Sequence, residues 1–290
     1  MSPHTTDRAL RRACEELLYI SPRKAPRTRS GKVQLDSAGL AQQCFQALLV
    51  TCLMSSSSAP HPLEHPRKRC FSGVHGYLNA IISHPETLEI HTNTACRIAS
   101  RLMPVLYDSG RVAGIPGLRF LSHNNRRLRL AHLPTGARLD LVDSTISSWY
   151  TSRDMRRTLH AETRWHHKPN TEPLWDSREL TDVEEVHADL WARRPCTALR
   201  SSIMTRAMSL WYKSDIYPAW MPPLAGSAHP RLIWENDDKR PGASQIGALL
   251  TTSPIAIRGA VFQAHDSDGG LLTLEGAAVR LTSTDPTRPR

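Results

Sequence analysis

The sequence predicts an α+β chain: a helix-rich N-terminal two-thirds containing a small antiparallel sheet, followed by a strand-rich C-terminal part. Three observations predict it. Apolar residues recur at helical spacing through most of the first two-thirds. Between Leu118 and Arg157 the period drops to two, with Arg127-Leu128-Arg129-Leu130 and Arg138-Leu139-Asp140-Leu141 flanking a Pro134-Thr135-Gly136 turn, the pattern of a β-hairpin. Beyond Arg231, short apolar runs broken by Gly, Asp and Pro suggest strands.

The first helix is expected over Asp7–Ile20, where Ala9, Leu10, Ala13, Cys14, Leu17 and Leu18 share a face. Pro22 and Pro26 then stop helix, so Ser21–Lys32 is an extended loop carrying Arg23, Lys24, Arg27, Arg29 and Lys32. A second helix runs from Asp36 or Ser37 to about Met54, and Ser55–Pro66 is a Ser/Pro/His boundary. Val74–His84 is expected to be helical, ended by Pro85. Thr92–Ser109 is expected to be one helix on the stripe Ala95, Ile98, Ala99, Leu102 and Leu106, kinked or shortened by Pro104, with Gly110 at the C′ position. After the hairpin, Trp149–Lys168 mixes aromatic and basic residues. Thr181 to Glu184 matches a capping box opening another helix, and Leu199, Ile203, Ala207, Leu210 and Trp211 mark one ending near Lys213. Strands are expected at Arg231–Trp234, Gln245–Thr251, Ile255–Ala264 and Leu271–Ser283, with Asp266–Gly270 as a hairpin turn. These elements group into three segments: 1–56, a helical part with the basic loop; 67–168, helix plus sheet with a basic face; and 178–283, a helical pair followed by strands. No internal repeat is evident.

At 290 residues, 40% hydrophobic and 22% charged, the chain can bury a sizeable core, which argues against wholesale disorder. Its net charge of +10 favours a polyanionic partner, nucleic acid before an anionic membrane surface. The six cysteines contain no C-x-x-C pair, and several fall within helical stripes, which predicts free thiols in a reducing compartment. The first residues show no hydrophobic signal segment, and the longest apolar run, Ala47–Met54, is too short to span a bilayer. A cytoplasmic protein, or one inside a host cell, with no membrane partner is the expectation.

With Leu128, Leu130, Leu139 and Leu141 facing a core, the pleat turns Arg127, Arg129 and Arg138 to the opposite face. Arginine's planar fork suits phosphate oxygens. Trp149, Tyr150 and Trp165, interleaved with Arg153, Arg156 and Arg157, suit stacked bases and their phosphates. Arg23, Lys24, Arg27, Arg29 and Lys32 form a second phosphate-tracking candidate. The expected function is therefore a basic DNA- or RNA-binding protein, a non-catalytic subunit of a nucleoprotein assembly of phage, plasmid or other mobile-element type, with other protein subunits as further partners. No catalytic residue, metal ligand or cofactor is assigned.

Two other readings come from different classes. A metal-dependent nuclease would use Asp140 or Asp143 with Glu162, yet carboxylates three apart on a strand point to opposite faces, whereas a two-metal site needs them to converge. A structural component of a large ribonucleoprotein would use its arginines only to neutralise packed nucleic acid. His160, His166 and His167 lack a carboxylate or cysteine at ligand spacing, and Asp266-Ser267-Asp268-Gly269 lacks the glutamate that closes a calcium loop. Arg29-Ser30-Gly31-Lys32 resembles the end of a phosphate-binding loop, with Val33 where Ser or Thr would hold magnesium. From Asn79 through Asp143, with Thr135-Gly136-Ala137-Arg138-Leu139-Asp140-Leu141 at its end, the chain resembles the middle of a phage terminase ATPase. The resemblance implies a strand, a long helix and a strand pair in that order, and a phosphoryl-transfer ancestry. No acidic pair of the Walker B type follows, so no catalytic residue carries over.

Overall fold

The computed structural model describes residues 7–21, 23–27, 33–54, 78–124, 126–143, 152–167, 171–186, 197–214, 216, 218–221, 228–235, 240–265 and 269–284. In chain order the elements are α1 (Asp7–Leu18), α2 (Leu40–Leu53), β1 (Leu78–Ser83), β2 (Thr87–Thr92), α3 (Ala95–Leu102), β3 (Val105–Tyr107), β4 (Val112–Ala113), β5 (Leu118–His123), β6 (Arg127–His132) and β7 (Ala137–Asp143). There follow α4 (Ser152–His167), β8 (Thr171–Pro173), a helix α5 described over 182–186, α6 (Thr197–Met208) running into a π-helical turn (Ser209–Lys213), β9 (Ala219–Met221), β10 (Arg231–Glu235), α7 (Ala243–Thr251), β11 (Val261–Ala264), β12 (Gly269–Leu274) and β13 (Ala277–Thr284). The chain divides into two compact units. A central unit holds Ala38–Leu53 and Ser57–Arg194, and a terminal unit holds Met1–Ser37, Met54–Ser56 and Pro195–Arg290.

The central unit is built on a five-stranded sheet of order β1-β2-β7-β6-β5. β1 and β2 form a hairpin closed at Pro85, where the His84 amide donates to the Thr87 carbonyl. β2 and β7 run parallel, which demands a crossover, and α3 begins it three residues after β2. β5, β6 and β7 are an antiparallel meander. Leu128, Leu130, Leu139 and Leu141 are fully buried, as are Leu88 and Ile90 beside them. Each such side chain contributes about 1.5–3 kcal/mol. On α2, Phe45 packs beside the His132 ring (5.2 Å between centroids), and Gln46 donates to the Ser83 hydroxyl. Across the sheet, Arg119 is buried under α5, where its fork meets both oxygens of Glu184 at 2.8 and 2.7 Å. Glu184 also accepts the Gly117 and Thr181 amides, and the Thr181 hydroxyl accepts the Glu184 amide in return, completing the capping box. Burial pushes the Glu184 carboxyl up, but these bonds outweigh it and hold the group below its usual range.

The terminal unit carries a second five-stranded sheet, β11-β12-β13-β10-β9, with β10 and β13 parallel. The ring of Phe262 on β11 lies against Gly247 of α7 and Gly270 of β12, and a Cβ at either glycine would collide with it. Arg206 on α6 is fully buried; it forks onto Asp36 and donates to the Ile255 (2.7 Å) and Ala256 (3.0 Å) carbonyls. One buried side chain thereby ties three stretches of chain together.

The two sheets share one connectivity: a helix, an antiparallel strand pair, a second helix, then a three-stranded meander whose last strand lies parallel to the second strand of the pair. Cross-strand rows correspond as well. Phe120–Leu130–Leu139 in one sheet matches Phe262–Leu272–Val279 in the other, and Ile90–Leu141 matches Leu232–Leu281. Gly136 (φ 71°) and Gly276 (φ 80°) each enter the final strand through a left-handed turn residue. The two units thus repeat one topology, with β3 and β4 lying between α3 and β5 of the central unit.

Helix and strand are therefore not segregated as the sequence predicts. Helices are spread through the chain, the middle holds a five-stranded mixed sheet instead of a small antiparallel one, and the C-terminal part keeps α6, the π-helical turn and α7 among its strands. Part of the expected Val74–His84 helix is strand β1, because consecutive Ile81 and Ile82 are both buried within the sheet. The expected long helix over Thr92–Ser109 is only α3: Thr92 ends β2, Pro104 stops the helix, and Gly110 (φ 75°) turns the β3–β4 hairpin. Gln245–Thr251 belongs to helix α7, whose Gln245 side chain accepts the Gly242 amide.

Candidate nucleic-acid interface

The register of β6 and β7 sets every side chain of the hairpin. With the four leucines inward, the other face carries Arg127, Arg129 and Ala131 on β6, Arg138, Asp140 and Val142 on β7, and Glu89 and His91 on β2. Arg129 stands directly opposite Asp140, and Arg138 opposite Ala131. The face is not uniformly basic. Arg127 reaches past its neighbour to bond Asp140 at 2.5 Å and Glu89 at 2.9 Å, and the second oxygen of Glu89 meets His91 Nε2 at 2.5 Å. That His91 bond, opposed by burial and aided by Arg127, holds the Glu89 carboxyl at about 2, against an ordinary 4.5. Three arginines stand here against two carboxylates, and Arg127 is committed to both acids.

Arg129 and Arg138 are exposed and have no ion-pair partner among the described residues. Arg138 is fixed through its backbone. Buried Gln42 on α2 donates to the Arg138 carbonyl and accepts its amide, both at 3.2 Å. A cleft of about 250 Å³ opens there, lined by Gly39–Gln42 at the start of α2, by Pro85 and Glu86, and by Arg138. Arg138 therefore projects from a rigid base beside the positive end of a helix.

Arg153, Arg156, Arg157 and Trp165 all fall on α4. Trp149 and Tyr150 lie outside the described residues, as do the side chains of Arg153 and Trp165. Arg156 bonds Asp176 at 2.6 Å and sits 5.8 Å from the centre of the Phe120 ring. Because Phe120 is registered with Leu130, that ring belongs to the inward side of the sheet, opposite Arg129 and Arg138. Arg157 and Arg164, seven apart on α4, are exposed on one helical stripe. In the terminal unit, Arg23 and Lys24 are exposed on a turn closed by the Lys24 amide to the Ser21 carbonyl, and Arg27 bridges to Val33; Arg29 and Lys32 lie outside the described residues. Glu89, His91 and Gln42 are the residues sequence reasoning missed. The alternation Leu88-Glu89-Ile90-His91 was the available signal for the first two.

The carboxylates do not converge. Asp140 lies outward on Arg127, Asp143 lies inward opposite Thr92, and Glu162 on α4 is bonded by Arg97 at 3.3 Å. Among the described residues no group of three His, Cys, Asp or Glu side chains is placed to hold a metal ion. The described cysteines, Cys14, Cys44, Cys52 and Cys96, are unbridged. Burial pushes the Cys96 thiol up to about 12, with Glu162 and Asp143 adding to it, and Cys14 up to about 11 against the pull of Arg206. These are inert thiols at neutral pH. No described helix is long and apolar enough to cross a membrane.

No family model matches the chain, and neither a curated protein nor a solved structure matches it.

Proposed function

We propose that this chain is a nucleic-acid-binding protein, serving as a non-catalytic subunit of a nucleoprotein assembly of the phage, plasmid or mobile-element type. The observation that carries the reading is the pair Arg129 and Arg138: two exposed guanidinium groups without acidic partners among the described residues, on strands backed by a leucine core. The net charge of +10 supplies the long-range attraction such a partner would feel. A two-metal nuclease is the weaker reading, because Asp140 is consumed by Arg127 and faces away from Asp143.

The test is binding of labelled single- and double-stranded DNA and RNA, measured by anisotropy across a salt series. Every phosphate that an arginine neutralises adds roughly 0.7–0.9 to the slope of log affinity against log salt. Changing Arg129 and Arg138 together to Ala should therefore flatten that slope by about 1.4–1.8 with the melting temperature unchanged. An unaltered slope would remove this face from the reading. Strand cleavage that needs magnesium and stops with chelator would favour the nuclease instead.

A further inference from the structure

Helix α1 stops at Leu18, and the next residue, Tyr19, has a φ of 57°, the left-handed conformation that favours glycine just past a helix end. A tyrosine held there at the expense of backbone comfort needs a reason beyond ending the helix. Its ring meets Tyr212 edge-on, with centroids 5.7 Å apart and planes at 64°. Tyr19 and Tyr212 are 47% and 40% exposed, so packing covers only part of the surface of each. Tyr212 sits in the π-helical turn after α6, where the wider turn leaves Leu210 and Trp211 buried and Tyr212 outside. Such turns recur at functional sites. Lys213 follows it and is exposed. At the other ring the chain turns through Arg23 and Lys24, both exposed, and at most about 14 Å of chain separates Tyr19 from Arg23.

We propose that Tyr19 and Tyr212 form a stacking platform for the unpaired bases of single-stranded nucleic acid, with Arg23, Lys24 and Lys213 receiving the adjoining phosphates. Aromatic faces accept any base, and flanking cations track the backbone, the combination used for single strands. Duplex hides its bases from such rings, and an uncharged ring ligand would gain nothing from three cations. The platform rests on the reading that the chain binds nucleic acid, but it lies in the terminal unit, on residues separate from Arg129 and Arg138.

The experiment compares the full chain with Tyr19→Gly and Tyr212→Leu, using a labelled oligothymidylate, an abasic strand of equal length, and a duplex. The wild type should prefer the thymidylate to the abasic strand. Each variant should lose about 5- to 150-fold in affinity for thymidylate, the range for one stacked base, with abasic binding and salt slope unchanged. Tyr19→Gly should keep or raise the melting temperature, since glycine suits the positive φ, so its loss of binding cannot be charged to unfolding. Three results overturn the platform: variants that bind thymidylate as tightly as wild type; equal losses on thymidylate and abasic strands; or a loss in Tyr19→Gly that follows a lowered melting temperature. A wild type that binds no strand of any kind sinks the functional reading along with it, whereas intact binding with unaffected variants sinks the platform alone.

Discussion

Replacing Arg127 with Ala separates an internal role from a phosphate-binding one. Arg127 is 31% exposed, and its two acids, Glu89 and Asp140, are 15% and 11% exposed. Moving the Glu89 carboxyl from 4.5 to about 2 corresponds to roughly 3 kcal/mol favouring its charged form, with the His91 bond the largest contribution. Arg127 contributes less than His91 at Glu89, and its charged hydrogen bond to Asp140 is worth about 1.5–3 kcal/mol. The expected loss is about 2–4 kcal/mol, at or below the ~3–5 of a fully buried pair that loses one partner. Urea melts followed by circular dichroism at pH 7 measure it. A double-mutant cycle with Asp140→Asn should return a coupling of about 1 kcal/mol or more. The pH dependence has a fixed sign. Glu89 titrates lower folded than unfolded, so its contribution is complete above about 4.5 and is lost as pH falls toward 2, over which range the gap between wild type and variant should narrow. Stability within about 0.5 kcal/mol of wild type, together with a flatter salt slope for nucleic acid, would refute the argument and return Arg127 to the binding face.

His132, fully desolvated against the pull of its bond to the Pro116 carbonyl, titrates near 4 in place of 6.5; stability should therefore fall by roughly 3 kcal/mol between pH 6.5 and 4, and His132→Gln should flatten that limb of a pH–stability profile. Glu184→Gln leaves the Arg119 guanidinium buried without a counter-charge, and calorimetry should show a loss of about 3 kcal/mol or more. Gly247→Ala drives a methyl into the Phe262 ring and should cost about 1–3 kcal/mol in urea melts, partly recovered by adding Phe262→Leu.

Legibility followed the range of the physical cause. The β6–β7 hairpin could be read because both of its determinants are local: a two-residue period and a turn closed by Gly136. β1 could not, because most of its positions are buried in sequence, so the alternation that identifies a half-exposed strand never forms. α7 was missed because Gly247, poor in a helix, is there to admit the Phe262 ring from a different element. The same limit divides the arginines. The pleat suffices to expose Arg129 and Arg138, whereas the fate of Arg127 depends on Glu89, 38 residues earlier, brought beside Asp140 by a parallel pairing that no local pattern encodes.

The repeated topology shows which positions the scaffold constrains. Inward rows keep their apolar character in both units: Leu139 answers to Val279, Leu141 to Leu281 and Phe120 to Phe262. Outward positions do not, and Asp140 of the central unit falls where Arg280 stands in the terminal one, four residues after the turn glycine in each. The two units share in sequence that glycine, followed by Ala137 or Ala277, and a Phe-x-x-His spacing at Phe120–His123 and Phe262–His265. Such shared features, set at different intervals by the β3–β4 hairpin, are too sparse to register as a repeat, because burial demands only apolar volume inward and leaves outward chemistry to change. An acid at the Asp140 position ties Arg127 into the sheet, whereas its counterpart, Arg280, carries the opposite charge. One connectivity therefore carries two surfaces of different charge, and those outward positions are where the binding properties of the two units can diverge.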